Sequence, residues 1–433
     1  MDRKWSSSWT DWKYPAWMDG GEVRTGRWWI AKKGEDDGAE GLWRVHDKLY
    51  DLTSWVNKHP GGKQWITLTK GLDITEAYES SHLNQDVDLI LQKFYVRDAK
   101  TPRNSPYTME PGGFFRTLKS RVYEEMKTME TGTKMRSYIL IDSLVVMTFV
   151  MAITAVKLHN YTAGFISAAC LTGASIAAHN FFHQKDNWRM YYFQLSLMSV
   201  TDWRITHSLS HHIYTNTYHD LELMMMEPFL QWLPKENKNW LAKNFAWLYT
   251  PVVYLSVYHG QALIRILRHG VEWQDAIGLA TPTIMYLFSG ASLLQCVGMW
   301  SFIMLFSSVM FATLGFNAAH HHPDIFHEGD KPRKDTDWGL NQLDAVGERV
   351  EVKKTFPWSH LSFGDHALHH IFPTIDHDDL AQLYPVFERT CQEFNVKLSH
   401  MTTWELILGQ FKQLMRTKGN TTSPEERSAI TRS

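Results

Sequence analysis

The sequence predicts a multidomain fold: a small α+β module, then an all-α membrane domain with about four transmembrane helices and a cytosolic cap that carries histidine clusters. Three observations predict it. Residues 42–96 alternate short apolar segments with Gly/Pro turns, the pattern of a small α+β unit. Several later runs are apolar over about 18–20 residues, enough to cross ~30 Å of hydrocarbon. Histidine is the outlier of the composition, with 22 in 433 residues, and it gathers in tight groups outside those runs. Imidazole is a common ligand for transition metals, so such grouping implies metal.

Composition narrows the function classes. A formal net charge of -2 gives no basic surface for nucleic acid. Cys170, Cys296 and Cys391 are widely spaced and form no CxxC pair. That argues against a disulfide framework and a thiolate zinc site, and fits working parts that face a reducing cytosol. The first residues are polar, so no cleavable signal peptide is expected. Residues 1–40, rich in Trp and Gly, read as a leader of unknown role.

The α+β module, assigned to residues 41–100, begins with a hairpin: Leu42–His46 and Leu49–Leu52 around Asp47-Lys48. His59 ends a short helix, and Pro60-Gly61-Gly62 forces a sharp turn where backbone can approach a ligand. Asp73 or Thr75 can cap a helix leading to His82. Two histidines so placed within one small module can ligate haem iron from opposite faces. The YDLT strand, the HPGG turn, the GLDIT stretch and the spacing from His59 to His82 resemble the cytochrome b5 haem-binding domain. The resemblance implies haem b with His59 and His82 as axial ligands, hence electron transfer rather than oxygen binding. Glu79 and His82 also spell ExxH, a soluble di-iron motif; its single occurrence in a haem context reads as coincidence.

Residues 101–135 are a Pro/Gly-rich connector ending in a basic amphipathic stretch. The membrane domain, assigned to 136–416, opens with runs 137–156 and 161–178, a helical hairpin whose preceding Lys and Arg residues place its N-terminal side in the cytosol. Asp142 inside the first run is either near the interface or functional. Runs 275–294 and 298–316 make a second hairpin. Residues 244–263 are also apolar, but a crossing there would send the later histidines to the opposite face from His179 and His207, so an interfacial or re-entrant helix is expected. Met224–Met226 reads as membrane-edge packing rather than a tunnel lining, and His327 as a solvated loop residue. The helix from Trp404 to Met415 is expected to pack through Trp404, Ile407, Leu408, Phe411, Leu414 and Met415. Residues 417–433 are expected to form a polar, mobile tail.

His179 and His183 are four apart, as are His207 and His211; His366 is followed by His369 and His370. On a helix these spacings share a face, whereas His212 points about 140° away from His207 on ideal α geometry. With one more from the His320–His322 group, these are about what two metals need at four or five nitrogens each. The three groups resemble the HxxxH, HxxxHH and HxxHH boxes of the membrane fatty-acid desaturase and hydroxylase superfamily. Together with the haem module, the arrangement is close to the insect cytochrome b5-related proteins and the front-end desaturases. The resemblance implies two non-haem irons held by the eight box histidines, with His321 added through an Asn317-xxx-His321 spacing, although His320 and His322 compete. It further implies oxygen, electrons from a cytochrome b5 reductase, a fatty-acyl lipid or acyl-CoA substrate, and an endoplasmic-reticulum membrane with haem and boxes cytosolic. Two departures bear on substrate and double-bond position: His366 stands where front-end enzymes usually carry Gln, and the second box is one residue longer than their usual form. A fatty-acyl or sphingolipid hydroxylase on the same scaffold, and a haem electron carrier without turnover, are the competing readings.

Overall fold

The computed structural model describes residues 8–10, 12, 13, 15, 25–129, 134–316 and 319–430. After α1 (Gly26–Asp36), the small module contains β1 (Trp43–Val45), β2 (Lys48–Tyr50), α2 (Lys63–Leu68), α3 (Thr75–Ser81), α4 (Asp86–Leu91) and β3 (Tyr95–Asp98). Its strands form one antiparallel sheet in the order β1-β2-β3, with Trp43 opposite Tyr50 and Leu49 opposite Arg97. Trp43, Val45, Tyr50, Leu52, Ile66, Tyr78 and Leu91 close a core of its own. The Asp73 carboxylate accepts the Thr75 N–H and hydroxyl at the head of α3, and His82 terminates that helix.

The connector leads into α5 (Phe114–Thr128). Phe114, Phe115, Leu118 and Val122 on α5 are buried in the core of the C-terminal half, alongside Leu383, Tyr384 and Phe387. The polar face turns to the small N-terminal module, where Glu79 accepts from Arg116 (2.7 Å) and Lys119 (2.6 Å) and bonds the His46 ring (2.7 Å). The expected basic amphipathic stretch is therefore consumed by protein contacts. Burial alone would raise the Glu79 carboxyl, but His46, Lys119 and Arg116 outweigh it and hold it at about 2. Its contribution to docking is full above about pH 4.5, the unfolded value, and is lost as pH falls towards 2. Glu79→Ala strands the buried Lys119 ammonium and is expected to cost about 3–5 kcal/mol. Faster amide exchange across α3 and α5, unchanged in far membrane helices, is the expected readout.

The membrane domain follows with α6 (Lys134–Lys157) and α7 (Tyr161–His183), then α8 (Val200–Trp203), a π-helix (Arg204–His211), α9 (His212–Tyr214) and α10 (Leu221–Met224). Next come α11 (Trp240–Leu255), α12 (Val257–His269), α13 (Asp275–Gly278), α14 (Ala280–Ser289) and α15 (Leu293–Met310), which runs into a second π-helix (Phe311–Phe316). The cap ends with α16 (Trp338–Asp344), β4 (Gly347–Arg349), α17 (Trp358–Leu361), α18 (His366–Ile371), α19 (His377–Glu393), β5 (Ser399–Met401), α20 (Thr403–Met415) and α21 (Pro424–Ile430). β4 and β5 pair in parallel.

Helices α6, α7, α14 and α15 pack as a bundle. Among the described residues, Lys134–Lys157, Tyr161–His183 and Leu293–Gly315 are long and apolar enough to cross a membrane. Ile139, Val146, Phe165 and Leu294 are exposed on these helices, as lipid-facing residues are. The fourth expected span is not one helix. Residues 275–289 break into α13 and α14, which together rise only about 22 Å. Asp142 pairs with Arg189 (2.8 Å) and accepts from the Tyr192 hydroxyl. The 244–263 run breaks at Ser256 into α11 and α12, each below the ~20 residues that cross hydrocarbon. Trp240, Trp247, Val252, Leu263 and Leu267 leave an exposed apolar face on the pair.

The leader, α20 and the tail each pack through specific contacts, and the last two differ from expectation. Trp9, Trp12 and Trp29 of the leader are buried against Tyr107, Tyr214, His219 and Phe326. In α20 the inward face carries Leu406, Gly409, Gln410, Gln413 and Leu414, while Trp404 and Leu408 face out. The two glutamines bind Tyr254 and the Trp232 carbonyl, so hydrogen-bonding capacity rather than apolarity chose the buried side. The polar tail is tied down by Asn420 on Asp330 and Glu426 on Lys331.

Candidate haem and metal centres

His59 and His82 face one another with ring centroids 6.1 Å apart. Each Nδ1 meets a backbone carbonyl, of Gly62 (3.0 Å) and Tyr78 (2.9 Å), so each Nε2 is the free donor. Two imidazoles sharing one metal at ~2 Å per bond have centroids about 6 Å apart. The rings border a cavity of about 450 Å³ lined by Leu52, Trp55, Ile74, Val87, Leu91 and Phe94 among others. Burial pushes His82 down to about 4, leaving a neutral ring. Apolar walls, a neutral His82 ring and Nδ1 atoms held by backbone carbonyls fit a haem.

The eight box histidines converge on the cap side of the bundle, and His320 joins them. His179, His183, His207, His212 and His369 each bring one nitrogen within 4.8 Å of the others. Inside this group the Nε2 atoms lie 2.6 Å (His179–His207), 2.9 Å (His179–His183), 3.0 Å (His207–His212) and 3.2 Å (His179–His369) apart. His211, His320 and His370 form the second group, and the His366 Nε2 lies 2.6 Å from that of His320. Nitrogens sharing a metal at ~2 Å sit about 3 Å apart. The His370 Nε2 is buried without a hydrogen-bond partner among the described residues, as a nitrogen aimed at a metal would be.

The outer shell orients these rings. His207 Nδ1 bonds Glu222 (2.6 Å), His211 Nδ1 bonds Asp220 (2.8 Å), and His320 Nδ1 bonds the Ala345 carbonyl (3.0 Å). His183 Nδ1 meets the Ser208 hydroxyl at 3.2 Å. Such partners fix the tautomer and raise ligand basicity. Burial pushes His212, His320, His366, His369 and His370 well below the ordinary imidazole range, so they are neutral donors. Burial would lower His211 too, but Asp220 and Glu222 outweigh it and hold it up at about 9. The field that keeps a proton there favours a metal cation in its place.

Two placements correct the sequence reading. His212 does not point away from His207. Over Arg204–His211 the helix is π, and the His212 N–H reaches the His207 carbonyl, so the repeat closes at i+5 and both rings enter one group. His321 is not in the cluster. It stacks on Trp232 (3.8 Å, 10°) and bonds His327 (3.2 Å). The adjacent residue, His320, in a turn at 319–320, lies in the cluster instead; Asn317 lies outside the described residues. His322 is half-buried beside Asp324, and His327 is fully buried rather than a solvated loop residue. His320→Ala is expected to lower bound metal and activity, whereas His321→Ala keeps the metal and loses about 1 kcal/mol of stacking. Metal content and thermal unfolding of the two variants separate these outcomes. Asp220 and Glu222 went unread in the sequence; two carboxylates eight and ten residues beyond the second box were the available signal.

Comparison with known proteins agrees with this geometry. The family model for fatty acid desaturases matches residues 158–402, and that for the cytochrome b5-like haem/steroid binding domain matches 30–100. A cytochrome b5-related protein of Drosophila melanogaster is 42% identical over 97% of this chain and 98% of its own. Delta(5) fatty acid desaturase A of Dictyostelium discoideum is 24% identical over 81% of this chain and 85% of its own. An acyl-lipid (8-3)-desaturase of Mortierella alpina is 24% identical over 86% and 92%. The chain thus belongs to the fatty acid desaturase family and carries a cytochrome b5-like domain fused on its N-terminal side.

Proposed function

We propose that this chain is a membrane-bound, oxygen-dependent fatty-acyl desaturase whose own haem module feeds electrons to two non-haem irons. The observation that carries this reading is the convergence of His179, His183, His207, His212 and His369 on one point and of His211, His320, His366 and His370 on another. When bound, two irons among neutral imidazoles supply oxygen chemistry able to remove hydrogen from an unactivated methylene. The residues around them do the rest. Asp220 and Glu222 hold His211 and His207 in register and offset positive charge. Phe182, Trp203 and Phe311 set a dry apolar wall beside His207. A crevice of about 50 Å³ lined by Leu197, Trp203, Leu221 and Met225, and rimmed by Asp202, Arg265 and His269, opens next to it. At that volume it does not hold a whole acyl chain; the acyl substrate, as acyl lipid or acyl-CoA, is carried over from the desaturases this chain resembles. Electrons come from a cytochrome b5 reductase, and the haem module and cap face the cytosol from an endoplasmic-reticulum membrane.

The test is lipid analysis of desaturase-deficient cells that supply oxygen and reductase. The expected product is an acyl chain two hydrogens poorer. A chain gaining one oxygen would make the protein a hydroxylase. No altered lipid alongside a normal haem spectrum would make it an electron carrier.

A further inference from the structure

The haem cavity is not closed by the haem module alone. The opening beside His59 and His82 is walled by the cap: His183, Lys185, Ser208, Leu209 and Pro373 border the same space. The two parts are joined around it by specific bonds. The Asp186 N–H donates to the Gly61 carbonyl (3.2 Å). Arg204 donates to Gln64 and to Asp186 (2.7 Å each) and lies over the Trp65 ring, while the Gln64 amide donates to Thr201 (2.8 Å). Gly62 has φ +112, and a Cβ there would overlap the Asp186 carboxylate, so the HPGG turn meets the cap with no room for a side chain.

The chemistry of the wall is uneven. Among the residues bordering the cavity there is no Asp or Glu, and Lys185 is the one Lys or Arg. Its ammonium has no ion-pair partner among the described residues. Haem b carries two propionates, and a carboxylate at the edge of an apolar site is costly unless a cation or hydrogen bond meets it. The small module contributes Ser80, Ser81 and Thr69 to the lining but no cation. The charge that matches the propionates belongs to the membrane domain.

We propose that the haem site is composite: Lys185 of the cap is the counter-ion of a haem propionate, so haem retention and midpoint potential depend on the docked membrane domain. This rests on the haem reading of His59 and His82. A cation at the propionate weakens the negative field on the iron and so favours the reduced form; its loss makes the haem harder to reduce.

The experiment is a spectroelectrochemical titration of the purified full-length holoprotein, with haem transfer to apomyoglobin as a second measurement. In Lys185→Glu the reduced-to-oxidised ratio at fixed potential is expected to fall about tenfold, which is 59 mV for one electron, and haem loss is expected to speed up. Lys185→Arg should behave as wild type. Reconstitution with haem dimethyl ester, which carries no propionate charge, should make wild type and Lys185→Gln titrate alike. Unchanged potential and haem loss in Lys185→Glu, with a normal bis-histidine spectrum, would overturn the composite site. A Lys185→Gln shift that persists with the ester would overturn the propionate contact. A normal haem spectrum in His59→Ala would instead overturn the haem reading beneath it.

Discussion

His369→Ala is expected to eliminate fatty-acyl product in cells that supply oxygen and reductase, while protein level and haem spectrum persist. The His369 Nε2 lies 3.2 Å from that of His179, inside the five-histidine group. Its Nδ1 has no hydrogen-bond partner among the described residues, so its removal strands no buried polar group. Loss of an outer-shell partner alone typically costs about 10–100-fold in metal affinity or activity, so loss of a ligand should exceed ~100-fold. His207→Ala should lose activity equally but also unfold more readily, because buried Glu222 then keeps only its longer contact with His211 (3.7 Å), at up to about 3–5 kcal/mol. His400→Ala, exposed on β5, is the control. Product formation by His369→Ala near the wild-type level would remove this histidine from the ligand set.

The second large effect concerns electron supply. His59→Ala or His82→Ala should abolish the low-spin bis-histidine haem spectrum and with it product formation, while the metals in the cap stay bound. Separately added cytochrome b5 should restore little, because the docked module still covers the His183 side of the cap through Gln64, Gly61 and Arg204. The histidine-box variants should not be restorable at all. Turnover by His59→Ala without any donor would show that electrons reach the metals by another route.

The two-module layout, the pairing of His59 with His82 across one cavity and the three histidine groups were legible because each is written in local spacing. Strand alternation, a Pro-Gly-Gly turn and i, i+4 pairs need no tertiary information. What was not legible depends on geometry that local spacing does not encode. His212 joins His207 only because the helix is π there, and ideal α periodicity sends the ring elsewhere. The exchange of His320 for His321 depends on a turn at 319–320 that local spacing does not encode; one residue along, a ring in the histidine cluster becomes a ring stacked on Trp232. The fourth apolar run has the composition of a span, but α13 and α14 divide it. Trp9, Trp12 and Trp29 pack into the core across long sequence distances, and a polar, Gly-rich context hid that.

Metal analysis of the purified full-length protein tests the central claim most directly. The account predicts two irons per chain beyond the haem iron, falling in His369→Ala and unchanged in His400→Ala. Haem iron alone, or zinc in the histidine groups of a protein that makes product, would contradict it.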